Sequence, residues 1–275
     1  MKTSKKFVSA VEMIALSFLL IIFLSPFLIT ILNTFKTTQE FVENPFSWPT
    51  RFSFDNYVKA IDKMNFFAGF LNSCFITVVG VVIVILFASM TAYLFARLPW
   101  KINKILFFIM TASMAIPFQV VMIPLVTIYG TIGFLDSRGA LLFMYLGFGI
   151  PLATFTFNGF IKGIPVALEE AASIDGSTRV RTFFQIILPL LKPVLSTVVV
   201  LDVLWIWNDY LLPSLVLMSP DLRTLPLSTF NFFSSYSVDF TPLMAGLLLT
   251  MLPVLLLYLL LQKYIIKGIS IGAVK

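Results

Sequence analysis

The sequence predicts an all-α polytopic membrane protein with six transmembrane helices gathered into one membrane domain. Three observations lead there. Of the 275 residues, 59% are hydrophobic and only 12% charged, with a mean hydropathy of +0.99, well beyond what a water-soluble domain uses to fill its core. Six apolar runs, at roughly 11–32, 71–95, 104–129, 139–160, 192–218 and 240–262, are each long enough to cross a hydrocarbon layer, which takes about 20 residues of helix. The Lys and Arg residues between those runs alternate from dense to sparse.

Taken in order, the first run follows Lys2, Lys5 and Lys6. It is too long for the apolar core of a signal peptide and no small-residue cleavage site closes it, so it is expected to stay as a helix. The connection over 33–70 contains NPFSWP and then SFDNYVKAI, a turn followed by a short surface helix capped near Ser53, together a small external cap. Pro117, Pro124, Pro151, Pro213 and Pro253 fall inside the later runs. Each is expected to bend or interrupt its helix, and the sequence leaves open whether any is a hinge. No internal repeat or low-complexity linker divides the chain.

Thirteen of the nineteen basic residues sit at four places: Lys2, Lys5 and Lys6; Arg97, Lys101 and Lys104; Lys162, Arg179, Arg181 and Lys192; and Lys263, Lys267 and Lys275. The alternate connections hold the other six, beside the acids Glu40, Glu43, Asp55, Asp62, Asp136, Asp221 and Asp239. By the positive-inside rule both termini and the 161–191 segment face the cytoplasm.

Composition also removes chemistry. The chain has no His and one cysteine, Cys74, so a His-containing metal site, a His general base and an internal disulfide are excluded. No phosphate-binding loop of the form G-x-x-x-x-G-K-[ST] occurs, so any ATP the protein uses must be bound by another chain. The net charge of +6 lies in short clusters flanking apolar runs, a pattern for anionic lipid headgroups rather than nucleic acid.

The stretch EEAASIDGSTRVRTFFQIILP, residues 169–189, interrupts this apolar chain. Pro165 suits a first helical turn, Val166 to Ile174 can continue the helix, and Gly176 is placed to end it in a left-handed conformation. Ser177 or Thr178 can cap a second helix that runs toward the fifth span until Pro189. On the first helix Ala167, Leu168, Ala171, Ala172 and Ile174 form a face of mostly small side chains. A helix resting on the inner leaflet carries large apolar anchors and basic residues. Glu169, Glu170 and Asp175 beside alanines suit a groove on a soluble partner better.

These residues carry a resemblance. Glu170-Ala171-Ala172, then Gly176, Ile186 and Leu188-Pro189 fit, at fixed spacing, the EAA signature of permease subunits of bacterial ABC importers. N-G-F-x-x-x-I-P (Asn158 to Pro165), W-x-W-N-D-Y (Trp205 to Tyr210), T-L-P (residues 224–226) and the terminal K-G-I-S-I-G-A-V-K resemble the oligosaccharide-uptake, MalG-like branch over nearly the whole chain. One position departs: Asp209-Tyr210 stands where that branch usually has Glu-Phe, which bears on substrate rather than family.

The resemblance implies a type I importer permease of the MetI-like fold. Residues 1–70 would form an N-terminal helix and external loop, 71–262 the permease core with a coupling helix at 165–176, and 263–275 a cytoplasmic tail on the ATPase side. It also implies a non-catalytic subunit of a bacterial cell membrane, paired with a second, MalF-like permease. A cytoplasmic ATPase dimer would carry ATP and Mg, an extracellular solute-binding protein would deliver an oligosaccharide, and this chain would hold no cofactor. ATP binding would close the ATPase dimer, draw the coupling helices together and open the pathway outward. Glu169, Glu170, Ala171, Ala172, Asp175 and Gly176 would be the docking elements. An amino-acid or peptide importer is the nearest alternative. A secondary transporter would be expected to show an internal repeat and more embedded charges, and an embedded enzyme would need a paired acid motif.

In the fifth span Asp202 and Asp209 lie seven residues apart, nearly on one face, with Trp205 and Asn208 on or near it. Ionisable groups in a span point to a bundle interior or a wet cavity, so Trp205, Asn208 and Asp209 are candidates for the substrate pathway. Carboxylate and amide groups bracket sugar hydroxyls and an indole stacks on a sugar face. Helix packing is the other role open to them, and for Asp202 it is the preferred one.

Overall fold

The computed structural model describes residues 2–233 and 238–273. Among these the chain is helical, and an isolated bridge between Phe233 and Val238 is its one piece of β pairing. The helices are α1 (Lys2–Asn33), α2 (Thr38–Glu43), α3 (Asp55–Lys63), α4 (Phe66–Arg97), α5 (Lys101–Ser113), α6 (Phe118–Thr131) and α7 (Arg138–Ile161). They continue as α8 (Ala167–Ile174), α9 (Arg179–Thr182), α10 (Leu188–Leu190), α11 (Lys192–Asn208), α12 (Leu211–Val216), α13 (Leu225–Ser228) and α14 (Phe240–Ala273). Among the described residues four stretches are long and apolar enough to span a membrane: Glu12–Asn33, Phe66–Arg97, Arg138–Ile161 and Phe240–Leu260. Two bent pairs, Lys101–Ser113 with Phe118–Thr131 and Arg179–Leu190 with Lys192–Asn208, bring the number to six if each is one span.

The first break has a covalent cause. Pro117 has no N–H to offer Ser113, so α5 and α6 meet at 103° around residues 114–117. The fifth expected span, 192–218, is not one helix. It stops at Asn208, Asp209 is extended (φ −69, ψ 125), and α12 starts afresh. Pro213 lies four residues after Asp209, where its ring would meet the Asp209 carbonyl of a continuous helix. Pro124, Pro151 and Pro253 stay within their helices. Beyond the expected sixth span the backbone of α14 runs on to Ala273, while Val274 and Lys275 lie outside the described residues, as do the side chains of Lys2, Lys5, Lys6, Lys263 and Lys267.

The chain forms two compact units. The first comprises Met1–Phe66 and Thr229–Met251. Its connection after α1 is pinned by polar contacts: the buried Lys36 ammonium donates to the carbonyls of Asn44 (3.0 Å) and Pro45 (3.2 Å), and Asn56 Nδ2 donates to those of Thr34 and Lys36. Thr37 and Glu40 make a capping box on α2, and the Glu40 carboxylate also accepts from the backbone and hydroxyl of Thr50. The Thr50 hydroxyl, then the Thr37 and Thr50 amides, hold that carboxyl at about 2, below the usual range. Ser53 acts near the expected place, its Oγ accepting from the Asp55 amide (3.1 Å) at the start of α3.

The second unit comprises Phe67–Ser228 and Leu252–Lys275. Small residues on α4 let α7 approach closely: Ala88 and Ala92 are buried with Ala153, Phe157 and Ile161, and Asn158 Nδ2 donates to the Ala92 carbonyl (3.3 Å). A second cluster gathers Ile76 and Val81 of α4, Leu141, Met144 and Tyr145 of α7, and Val203 and Ile206 of α11. These two cores set the ends of α4, α7 and α11 that carry the candidate sites.

Candidate functional sites

The polar 161–191 segment folds as helix, turn, helix. Helix α8 ends at Ile174, Gly176 takes φ +78, and two backbone bonds close the turn: Ser177 N to the Ala172 carbonyl (2.9 Å) and Gly176 N to the Ser173 carbonyl (3.1 Å). This is a Schellman closure, in which the left-handed residue lets the chain reverse while the last carbonyls stay bonded. Of the two possible caps, Thr178 is the one used. Its Oγ1 accepts from Arg181 N (3.3 Å), whereas the Ser177 hydroxyl accepts from Thr182. The second helix is uneven. Residues Phe183–Ile187 form a π-turn ahead of Pro189, which cannot donate to the Gln185 carbonyl, and the chain bends by 78° at Leu191 before α11.

The expected small-residue face divides. Ala172 is the one buried member, at 8% exposure, and packs toward its own chain; Ala167, Leu168, Ala171 and Ile174 are exposed, Ile174 to 87%. Glu170, Asp175 and Gly176 are exposed as well. Glu169 is placed differently from the other docking candidates. Its Oε1 accepts from Arg97 Nε (2.6 Å), its Oε2 from the Tyr93 hydroxyl (2.7 Å), and both charged side chains are only 13% exposed. Arg97 also donates through Nη2 to the Ile164 carbonyl (2.9 Å). A cleft of about 560 Å³ opens between the end of α4 and α8–α9, lined by Met90, Leu94, Val166, Ser173, Arg179 and Phe183 among others.

Near the break after α11 a second group assembles. The Tyr145 hydroxyl, on a fully buried side chain, donates to Asp209 Oδ2 (3.0 Å), and the rings of Tyr145 and Trp205 meet edge to face at 5.3 Å. Asp209 Oδ1 accepts from Leu211 N (3.1 Å) and so starts α12. Trp205 is 38% exposed, and Asn208 is exposed with its Nδ2 turned back to the Leu204 carbonyl (2.8 Å). Trp205 and Asp209 are therefore joined through Tyr145, and Asn208 stands beside the pair. Asp202 is buried, with Oδ2 lacking a hydrogen-bond partner.

Sequence reasoning missed Tyr93, Arg97 and Tyr145. Arg97 appeared in it only as one of a basic cluster. Its partner lies 72 positions away, and the partner of Tyr145 lies 64 away, so nothing local marks either pair. Among the described residues no group of three or more His, Cys, Asp or Glu side chains is placed to hold a metal ion.

Known proteins resemble this chain along most of its length. The family described as "Binding-protein-dependent transport system inner membrane component" matches residues 84–271. The probable starch degradation products transport system permease protein AmyC of Thermoanaerobacterium thermosulfurigenes is 48% identical over 255 residues, 93% of each chain. The multiple sugar-binding transport system permease protein MsmG of Streptococcus mutans is 36% identical over 260 residues, again 93% of each. In three dimensions the chain superposes with a TM-score of 0.80 on a chain of a bacterial ABC transporter involved in the import of the acidic polysaccharide alginate. That match covers 95% of this chain and 97% of the other, and at 23% identity it speaks to the fold.

Proposed function

Because this chain belongs to the binding-protein-dependent transport system inner membrane component family, we propose that it is a permease subunit of an ATP-binding-cassette importer for an oligosaccharide. A second permease completes the pathway, an external solute-binding protein delivers the sugar, and a cytoplasmic ATPase dimer supplies ATP and Mg chemistry that this chain does not perform. The protein sits in the bacterial cell membrane as a multi-pass subunit with both termini cytoplasmic. The sugar class rests on the relatives named for starch degradation products and multiple sugars. The first of these makes malto-oligosaccharides the first cargo to test.

The observation that carries this reading is α8. A short helix held by a Schellman turn presents Glu170, Ala171, Ile174 and Asp175 to its surroundings, in a chain that lacks a phosphate-binding loop of its own. Exposed apolar and acidic side chains on one short helix suit a groove on a soluble protein. Closure of the ATPase dimer on ATP then displaces α8, and that displacement opens the pathway. At the other end of α11, the Asp209 carboxylate, the Asn208 amide and the half-open Trp205 ring offer hydroxyl and ring-face contacts to a sugar.

The test is reconstitution of this permease with its second permease, ATPase and binding protein in proteoliposomes, using radiolabelled maltotriose, raffinose and a tripeptide as probes. ATP-driven accumulation of a sugar, lost when the binding protein is omitted, is the expected result. Accumulation of the peptide alone would move the protein to the other solute class, and uptake without the ATPase would overturn the reading.

A further inference from the structure

A docking helix moves a membrane helix only through the contacts that join them, and around α8 those contacts are few. The 560 Å³ cleft separates much of α8 and α9 from the last turns of α4, and α8 itself buries only Ala172. Across that gap stands one polar bridge. Tyr93 and Arg97 lie four residues apart and thus on one face of α4, each donating to a different oxygen of the Glu169 carboxylate. Arg97 reaches in addition to the carbonyl of Ile164, in the turn that leads from α7 into α8. The guanidinium thus grips the helix at its first turn and the turn before it, a two-point hold that its rigid fork allows and a Lys ammonium does not reproduce. At 13% exposure the pair is largely shielded from water, so removing one partner strands a charge and costs more than losing a surface ion pair.

We propose that Glu169 is a positioning residue rather than a docking residue: with Arg97 and Tyr93 it clamps α8 to α4, so that the two helices move as one body when the ATPase moves α8. The inference rests on the reading of α8 as the ATPase-docking element. It assigns Glu169 and Glu170, adjacent in sequence, to different tasks. Glu170 is exposed and free to meet the partner; Glu169 is tied to the chain's own α4.

Paired spin labels test this in the assembled complex, on a Cys74→Ser background, at Val78→Cys on the exposed side of α4 and Leu168→Cys on α8. In the otherwise wild-type complex the interlabel distance should be the same without nucleotide and with ATP and vanadate. In Glu169→Ala and in Arg97→Ala it should shift on adding nucleotide, and the double variant should shift no further than either single, because both remove one link. Co-purification of the ATPase should be unchanged in all three. A nucleotide-dependent shift without the substitutions, or variants that keep the distance fixed, would overturn the clamp. Loss of ATPase co-purification in Glu169→Ala would overturn it too, by making Glu169 part of the docking face. An unsubstituted complex that retains no ATPase sinks the docking reading itself, a different failure from a clamp that slips.

Discussion

Gly176 offers the sharpest test of how the cytoplasmic turn is built. Its φ of +78 is a conformation that costs an L-residue about 1–2 kcal/mol, and a β-branched one more. A Cβ added there would meet nothing within 4 Å, so within this chain the cost is backbone strain and not collision. Gly176→Val should therefore loosen the Ser177 amide hydrogen bond to Ala172 (2.9 Å) by at least that amount, speeding its hydrogen exchange by at least about fivefold. The same variant should lose ATPase co-purification and ATP-driven uptake while still inserting in the membrane. Gly176→Asn separates the causes, because Asn tolerates the left-handed region at little cost. If strain is the reason, Asn should restore both exchange protection and assembly. Unaltered exchange in Gly176→Val would refute the strain argument, and an Asn variant as defective as Val would place the collision on the partner instead.

Other outcomes follow from contacts elsewhere. Asp209→Ala leaves the buried Tyr145 hydroxyl without its acceptor, at about 1–3 kcal/mol, and Tyr145→Phe should repair that stability loss; maltotriose uptake that stays impaired in the stable double variant identifies a pathway role, whereas normal kinetics remove Asp209 from the pathway. Gly246→Ala drives a Cβ to 2.6 Å from Met64 Sδ and 2.9 Å from the Phe232 ring, and should lower stability by about 1–3 kcal/mol in thermal unfolding; an unchanged midpoint would refute the close fit. Glu40 has its folded pKa depressed to about 2, so its ties to Thr37 and Thr50 contribute fully above the unfolded value of about 4.3 and are lost as pH falls toward 2. Trp48 fluorescence should report that loss across the same window, and a Glu40→Gln protein that titrates identically would contradict it.

What was legible in the sequence was what short-range physics decides. Apolar length gave the spans, and the Gly176 turn with its Thr178 cap follows from residues within ten positions of one another. The surprise was one of position. The run from 192 to 218 is apolar enough to cross a membrane and Pro213 marks it for interruption, but the break falls four residues earlier, where the Pro213 ring disfavours a helical Asp209 and the Asp209 carboxylate starts a new helix. A break of this kind frees backbone and side-chain groups inside an apolar layer, which is tolerable only where protein or a cavity can satisfy them, and Tyr145 does so for Asp209. The division of labour between Glu169 and Glu170 was beyond local reading altogether. Two adjacent acids have the same propensity and charge, and only the position of Arg97 on a helix 72 residues away decides which of them turns inward. Neighbours lie about 100° apart on a helix, so a Glu169 turned to Arg97 leaves Glu170 exposed to the side of it, where a partner can reach it.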